Sequence, residues 1–174
     1  MQSRFVGLVF VFLDFSLQLG RVRIDLVPDF VGYLLICRGL RQMAPEGARF
    51  GRTIPAARCA AVYTGLLYFL NLTGLPARAG AQAGILPVAA TAASLLVSYG
   101  ITRAVEELEL RLDCDFGASG LRMAWIALTA ASMLHYLLLR SEVLGNLSML
   151  CSMAAGIVYL AAFYRSRERY LGGA

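Results

Sequence analysis

The chain has 174 residues, of which 59% are hydrophobic and 16% are charged. Soluble domains are usually about 45–50% apolar, so this composition excludes an ordinary soluble domain and indicates one membrane domain that covers residues 1–174. All 16 basic residues are arginine and the formal net charge is +5, which we attribute to orientation in a membrane rather than to nucleic-acid binding.

Six apolar segments predict transmembrane helices, approximately at 5–19, 26–43, 59–75, 79–112, 121–139 and 143–164. The last four contain uncharged runs near the ~20 residues that span a bilayer. The first two are short, but arginines at helix ends can reach the membrane surface. The predicted fold is an all-α integral membrane bundle of about six transmembrane helices.

The first segment resembles a signal peptide in having one arginine before an apolar run. Asp14 interrupts that run, and no small-residue cleavage site follows. We therefore expect residues 5–19 to be retained as the first helix.

The arginines predict the orientation of the bundle. With the N-terminus inside, 12 of the 16 arginines lie on the cytoplasmic side, and the other four, Arg21, Arg23, Arg78 and Arg140, lie outside. Cytoplasmic loops are enriched in arginine, so both termini are predicted to be cytoplasmic.

Two cytoplasmic connections follow from this topology. The segment 44–58, "APEGARFGRTIPAAR", has two prolines and two glycines and predicts an irregular loop. The helix 79–112 is predicted to extend into the cytosol, where Arg103, Glu107 and Arg111 form a ladder at i,i+4 spacing. The segment 113–120, "DCDFGASG", then ends that helix.

Motifs of known enzymes, metal sites and cofactor sites do not occur in the sequence, and no cofactor or metal is expected. The cysteines Cys37, Cys59, Cys114 and Cys151 are scattered and predict no disulfide framework. A cytoplasmic acidic group contains Glu106, Glu107, Glu109, Asp113 and Asp115. We interpret it as pairing with nearby arginines; the alternative is a divalent metal site of an enzyme that acts on phospholipid head groups.

A candidate intramembrane polar site centres on Asp14, because a carboxylate at that depth costs roughly 2.5–3.5 kcal/mol and usually faces the bundle interior. Gln18 and Arg21 follow at i+4 and i+7, on the same face of the predicted helix. Asp14 either pairs structurally with these residues or carries a proton or cation.

The fifth predicted helix contributes His135, the single histidine of the chain. A hydrogen-bonded packing role is favoured over a proton relay with Asp14. Asn71 and Asn146 lie nearer the outer ends of their helices and are candidates to line the same cavity.

A second candidate cluster lies at the outer boundary and contains Arg21, Arg23, Asp25 and Asp29. Asp25 followed by Pro28 and Asp29 has the pattern of a helix start, with an N-cap carboxylate and an acidic first turn. The i,i+4 carboxylates Asp25 and Asp29 could instead hold a cation, although the arginines can neutralise both.

Small residues recur every fourth position in two predicted helices: Ala90, Ser94 and Ser98 in one, and Ser148, Ser152 and Gly156 in the other. Such faces let membrane helices approach closely. We interpret them as packing faces within the bundle, with a dimer interface as the alternative.

Two segments, "IDLVPDFVGYLLICRGLRQM" (24–43) and "ILPVAATAASLLVSYGITRAVEELE" (85–109), resemble small uncharacterised multi-pass membrane proteins of Gram-positive bacteria with an ID-x2-PDF-x-GY segment. The second segment resembles a "Y.I..G..E.E" helix end of the same proteins, in which Ala104 stands where that pattern has glycine. The resemblance covers about a quarter of the chain. It implies a bacterial plasma membrane and no particular activity.

These observations favour a non-enzymatic accessory or structural membrane subunit. The alternative is a small-solute or ion carrier, or the substrate-binding membrane subunit of a transporter, that uses Asp14. An enzyme acting on lipid is third. The expected partners are the lipid bilayer and either another membrane protein or a second copy of the chain, and no nucleic acid is expected.

Overall fold

The computed structural model describes residues 16–19, 22–25, 29–72, 82–138 and 141–172. A short antiparallel hairpin comes first, formed by β1 (Ser16–Leu19) and β2 (Val22–Asp25). The helices that follow are α1 (Asp29–Met43), α2 (Ala48–Leu72), α3 (Gln82–Leu112), α4 (Ala118–Leu138) and α5 (Glu142–Gly172).

Helices that follow each other in sequence pack side by side and run antiparallel. In α2 and α3, for example, Arg49 lies beside Glu107 and Tyr63 lies beside Leu86. The turns 44–47 and 113–117 therefore meet at one end of the bundle, which we call the charged end. The charged end is defined by the ionic side chains of Glu46, Arg49, Glu107, Asp115 and Arg169.

Within the described residues, four helical segments are long and apolar enough to cross a membrane: Ala48–Leu70, Ile85–Leu112, Ala118–Leu138 and Val143–Tyr170. Large apolar side chains are exposed on their outer faces, including Val62 (64%), Leu137 (77%) and Val143 (76%). Exposed apolar side chains on all four helices are suited to contact with lipid. The predicted helical architecture is confirmed, and four of its helices are suited to crossing a membrane; the count of six spans and the cytoplasmic termini stay predictions.

The core begins with one face of α1. Tyr33, Ile36, Cys37, Leu40 and Met43 recur at helical spacing and are all buried. They pack in one cluster with alanines of α2, whose small side chains permit a close approach of the two helices.

The small-residue faces lie inside the bundle. Ser98 is almost fully buried, and so is Ser148. Ser152 Oγ is 3.4 Å from Ser132 Oγ of α4, which places that face of α5 against its neighbour in the same chain. Gly156 is buried as well. Packing within one chain thus occupies Ser98, Ser148, Ser152 and Gly156.

The prediction of a first helix over 5–19 is wrong for its last four residues, which form β1. The sequences SLQL and VRID alternate polar and apolar residues, a pattern with the period of a strand. Residues 5–15 lie outside the described part of the chain.

Asp25 ends β2, and α1 begins only at Asp29, so Asp25 is not the N-cap that we predicted.

The predicted loop over 44–58 is also wrong, because α2 begins at Ala48 and continues through Pro55. A proline inside a helix costs roughly 3 kcal/mol, since it removes one backbone hydrogen bond and crowds the preceding turn. Burial of Phe50, Ala57 and Ala60 on this stretch of α2 offsets that cost.

The last helix is longer than the predicted 143–164 and continues to Gly172.

Candidate functional site

The structure describes only part of the predicted intramembrane site. Asp14 lies outside the described residues. Gln18 lies in β1, opposite Arg23 of β2, so it does not follow Asp14 along a continuous helical face. Asn71 lies near the end of α2. A cavity shared by these residues and His135 stays a prediction.

His135 is half-buried on α4, and its Nδ1 lies 3.1 Å from the hydroxyl oxygen of Ser148 on α5. Ser148 also donates a hydrogen bond to the carbonyl oxygen of Gly145, at 2.8 Å. Asn146 is exposed and lies two residues from Ser148, which places it about 200° around the helix. The structure therefore brings His135 to Ser148 and not to Asn146.

The predicted outer cluster is divided between the hairpin and the first helix. Arg23 and Asp25 lie in β2, and Asp29 occupies the first turn of α1, where the helix dipole favours a carboxylate. Arg21 lies outside the described residues. Because Asp25 is in a strand, Asp25 and Asp29 do not share a helical face.

Four members of the acidic group, Glu106, Glu107, Glu109 and Asp115, form ion pairs or hydrogen bonds at the charged end. Arg49 Nε lies 2.6 Å from Glu107 Oε2 and ties α2 to α3. Arg103 Nη1 lies 2.6 Å from Glu106 Oε2, and Arg111 donates instead to the carbonyl oxygen of Glu46. The predicted ladder of Arg103, Glu107 and Arg111 is therefore wrong, because each residue has a different partner.

Two further acids organise the turn into α4. Glu109 Oε2 accepts the backbone N–H of Ala118 at 2.8 Å, which satisfies a donor at the start of α4. Asp115 Oδ1 accepts the N–H of Gly117 at 2.8 Å. Within the described residues, no three His, Cys, Asp or Glu side chains come together as candidate metal ligands.

Gly117 allows a close contact between this turn and α5. Its φ is +78°, a conformation that L residues with a side chain rarely adopt. A Cβ at this position would lie 2.8 Å from Arg169 Nη1. The same Nη1 lies 3.3 Å from Asp115 Oδ1, so the guanidinium is held against the start of α4.

A groove of about 660 Å³ opens beside this contact, between the start of α4 and the end of α5. Its mouth contains Asp115, Arg165 and Arg169. A much smaller apolar cavity of about 50 Å³ lies on the inner side of α5, where Phe163 and Arg167 contribute to its wall. Phe116 and Ser166 line both spaces and separate them.

Hydroxyl and indole groups form hydrogen bonds between α3 and the two helices that follow it. Tyr159 of α5 is fully buried, and its hydroxyl donates to the carbonyl oxygen of Ser98 at 3.0 Å and lies 3.1 Å from Thr102 Oγ1. The Trp125 indole N–H donates to the carbonyl oxygen of Leu95 at 3.2 Å. These contacts join α3 to both α4 and α5.

Sequence reasoning missed Tyr159 and the groove at the charged end. The spacing of Ala90, Ser94 and Ser98 identified one small-residue face of α3. Spacing within one helix does not reveal which aromatic side chain of another helix meets that face.

Comparison with protein-family models, curated proteins and solved structures gives no match for this chain.

Proposed function

We propose that the chain is a multi-pass integral membrane protein without enzymatic activity that serves as an accessory or structural subunit. Its proposed location is a bacterial plasma membrane, with the charged end in the cytoplasm. The arginine distribution supports this orientation, because 12 of the 16 arginines lie on that side of the predicted topology. The resemblance over 24–43 supports the bacterial membrane.

The observation that carries the proposal is that polar side chains inside the bundle hydrogen-bond to side chains or backbone of neighbouring helices. His135 meets Ser148, Ser132 meets Ser152, and Tyr159 meets the backbone of Ser98. Secondary transporters generally bind substrate near the middle of the membrane, at helices that are interrupted there. Helices α2 to α5 are continuous over the described residues, and their polar groups join one helix to another, as expected for a rigid scaffold.

The surface offered to a partner protein is the end of α3. This helix has 31 residues and is about 46 Å long, whereas the hydrocarbon core of a bilayer is about 30 Å thick. Leu110 lies in the highly charged last part of α3 and is 85% exposed. An accessory subunit is expected to contact its partner there.

Photocrosslinking in native membranes tests this proposal. A photoreactive amino acid in place of Leu110 should give one adduct of fixed mass that contains a second polypeptide. The matched control is Leu66, which is 59% exposed on α2 and should react with lipid alone. Reaction of the Leu110 probe with water or lipid alone, together with solute flux in proteoliposomes of the pure chain, would favour a carrier.

The orientation has a separate test at Cys114. This cysteine is exposed in the turn between α3 and α4, while Cys59 and Cys151 lie within membrane-spanning helices. A membrane-impermeant maleimide should label Cys114 in inverted vesicles and not in intact cells. The Cys114→Ser chain should remain unlabelled in both preparations. Labelling of Cys114 in intact cells would reverse the proposed orientation.

A further inference from the structure

The groove between α4 and α5 is amphipathic along its length. Its mouth carries the charged residues Asp115, Arg165 and Arg169. Its walls further into the membrane consist mainly of small and apolar side chains: Gly120, Ala124, Ala127, Val158 and Ala161. Because small side chains line both helices, the groove stays open where larger ones would fill it.

The depth of the groove corresponds to one leaflet of a bilayer. Ala127 lies nine residues beyond the start of α4 at Ala118, a distance of about 14 Å along the helix. One leaflet contributes about 15 Å of the roughly 30 Å hydrocarbon core. An acyl chain whose head group lies at the mouth would therefore run along the apolar wall to about the middle of the membrane.

The charges at the mouth are suited to an anionic head group. Arg165 is exposed and forms no ion pair with the described residues. Arg169 uses Nη1 for Asp115, which leaves Nε and Nη2 of the guanidinium for a second anion. The two arginines and one aspartate give the mouth a net charge of +1.

The first turn of α4 adds backbone hydrogen-bond donors to the positively charged mouth. The N–H groups of Ser119 and Gly120 belong to the first turn, which has no acceptors within its own helix, and both residues line the groove. Donors at the start of a helix favour phosphate groups. The side-chain charges, the backbone donors and the apolar wall therefore lie in the order found in a phospholipid, from head group to tail.

We propose that this groove binds one anionic phospholipid, with its phosphate at Arg165, Arg169 and the first turn of α4. One acyl chain lies along Gly120, Ala124 and Ala127. The inference depends on membrane insertion and not on the accessory-subunit function, so the two can fail separately.

Native mass spectrometry of the full chain in detergent tests the site by lipid titration. Phosphatidylglycerol should bind with one site tighter than the rest, and phosphatidylcholine of the same chain length should bind at least fivefold more weakly. Arg165→Gln should weaken phosphatidylglycerol about fivefold, the factor expected for one basic residue at an anionic membrane surface. Arg122→Gln is the matched charge control, because Arg122 is exposed on α4 and does not line the groove.

The apolar wall is tested by filling it. Ala127→Phe should weaken the tight phosphatidylglycerol site at least tenfold, while Ala154→Phe, at an exposed position of α5 outside the groove, should leave it unchanged. The unfolding temperature without added lipid should be the same for Arg165→Gln and the parent chain. Equal binding of both lipids, or no effect of Arg165→Gln and Ala127→Phe, would overturn the proposal. Displacement of the lipid by millimolar glycerol phosphate would show a head-group site without an acyl groove and would also overturn it.

Discussion

Tyr159→Ala is expected to lower the free energy of unfolding by about 3–5 kcal/mol, the range for removing a large buried ring. Tyr159 is fully buried between α5 and α3, so truncation leaves a cavity and removes the hydrogen bond to the Ser98 carbonyl. Tyr159→Phe keeps the ring and should cost roughly 0.6–1.7 kcal/mol, as found for hydrogen bonds between membrane helices. Equilibrium unfolding in mixed micelles measures both values.

The control for this pair is Leu150→Ala. Leu150 is 63% exposed on the outer face of the same helix, and its truncation should change the free energy of unfolding by at most about 0.5 kcal/mol. A Phe variant as unstable as the Ala variant would show that the hydroxyl, rather than the packing of the ring, stabilises this crossing.

Gly100→Ala is expected to destabilise the bundle by roughly 1–3 kcal/mol, the usual cost of overpacking. The new Cβ would lie 2.6 Å from Cγ2 and 2.7 Å from Oγ1 of Thr53. Thr53 cannot easily turn away, because its side chain is β-branched and its hydroxyl donates to the carbonyl oxygen of Arg49 at 2.9 Å. Helices α2 and α3 must therefore move apart.

A compensating substitution makes this prediction specific. Thr53→Ala removes the two nearest atoms, so Gly100→Ala should cost less in that background than in the parent chain, as a double-mutant cycle measures. Gly51→Ala is the matched control, since nothing lies within 4 Å of a Cβ there and alanine favours a helix. An equal cost of Gly100→Ala in both backgrounds would contradict the proposed clash with Thr53.

The sequence predicted those features that depend on composition along one segment. Uncharged runs located the four long helices, and the predicted break over 113–120 is confirmed for 113–117, whereas 118–120 already belong to α4. Predictions from patterns that are compatible with two structures were wrong in two places. The proline at 55 indicated a loop, but buried neighbours hold the helix together through it. The apolar residues before Gly20 indicated a helix, but residues 16–19 pair with β2.

The contacts at the charged end could not be predicted, because they depend on how the helices pack against each other. Glu107 has arginines at both i−4 and i+4, yet it pairs with Arg49 of another helix, because the rotation of α3 directs it there. In the sequence, Arg165 and Arg169 are two of several arginines near the end of a helix, and nothing distinguishes them. They become a candidate site only because α5 lies beside the small residues at the start of α4.

The packing of successive helices against each other has a consequence for how the chain assembles. Each of α2, α3 and α5 packs most extensively against the helix immediately before it in sequence, whereas α4 packs most extensively against α5, which follows it. Chains dominated by such local contacts fold quickly, and a chain under synthesis can form them in order from the N-terminus. Each helix leaving the ribosome thus meets a partner that is already inserted. The bond from Tyr159 to α3 skips one helix, so it forms after α5 emerges and completes the bundle.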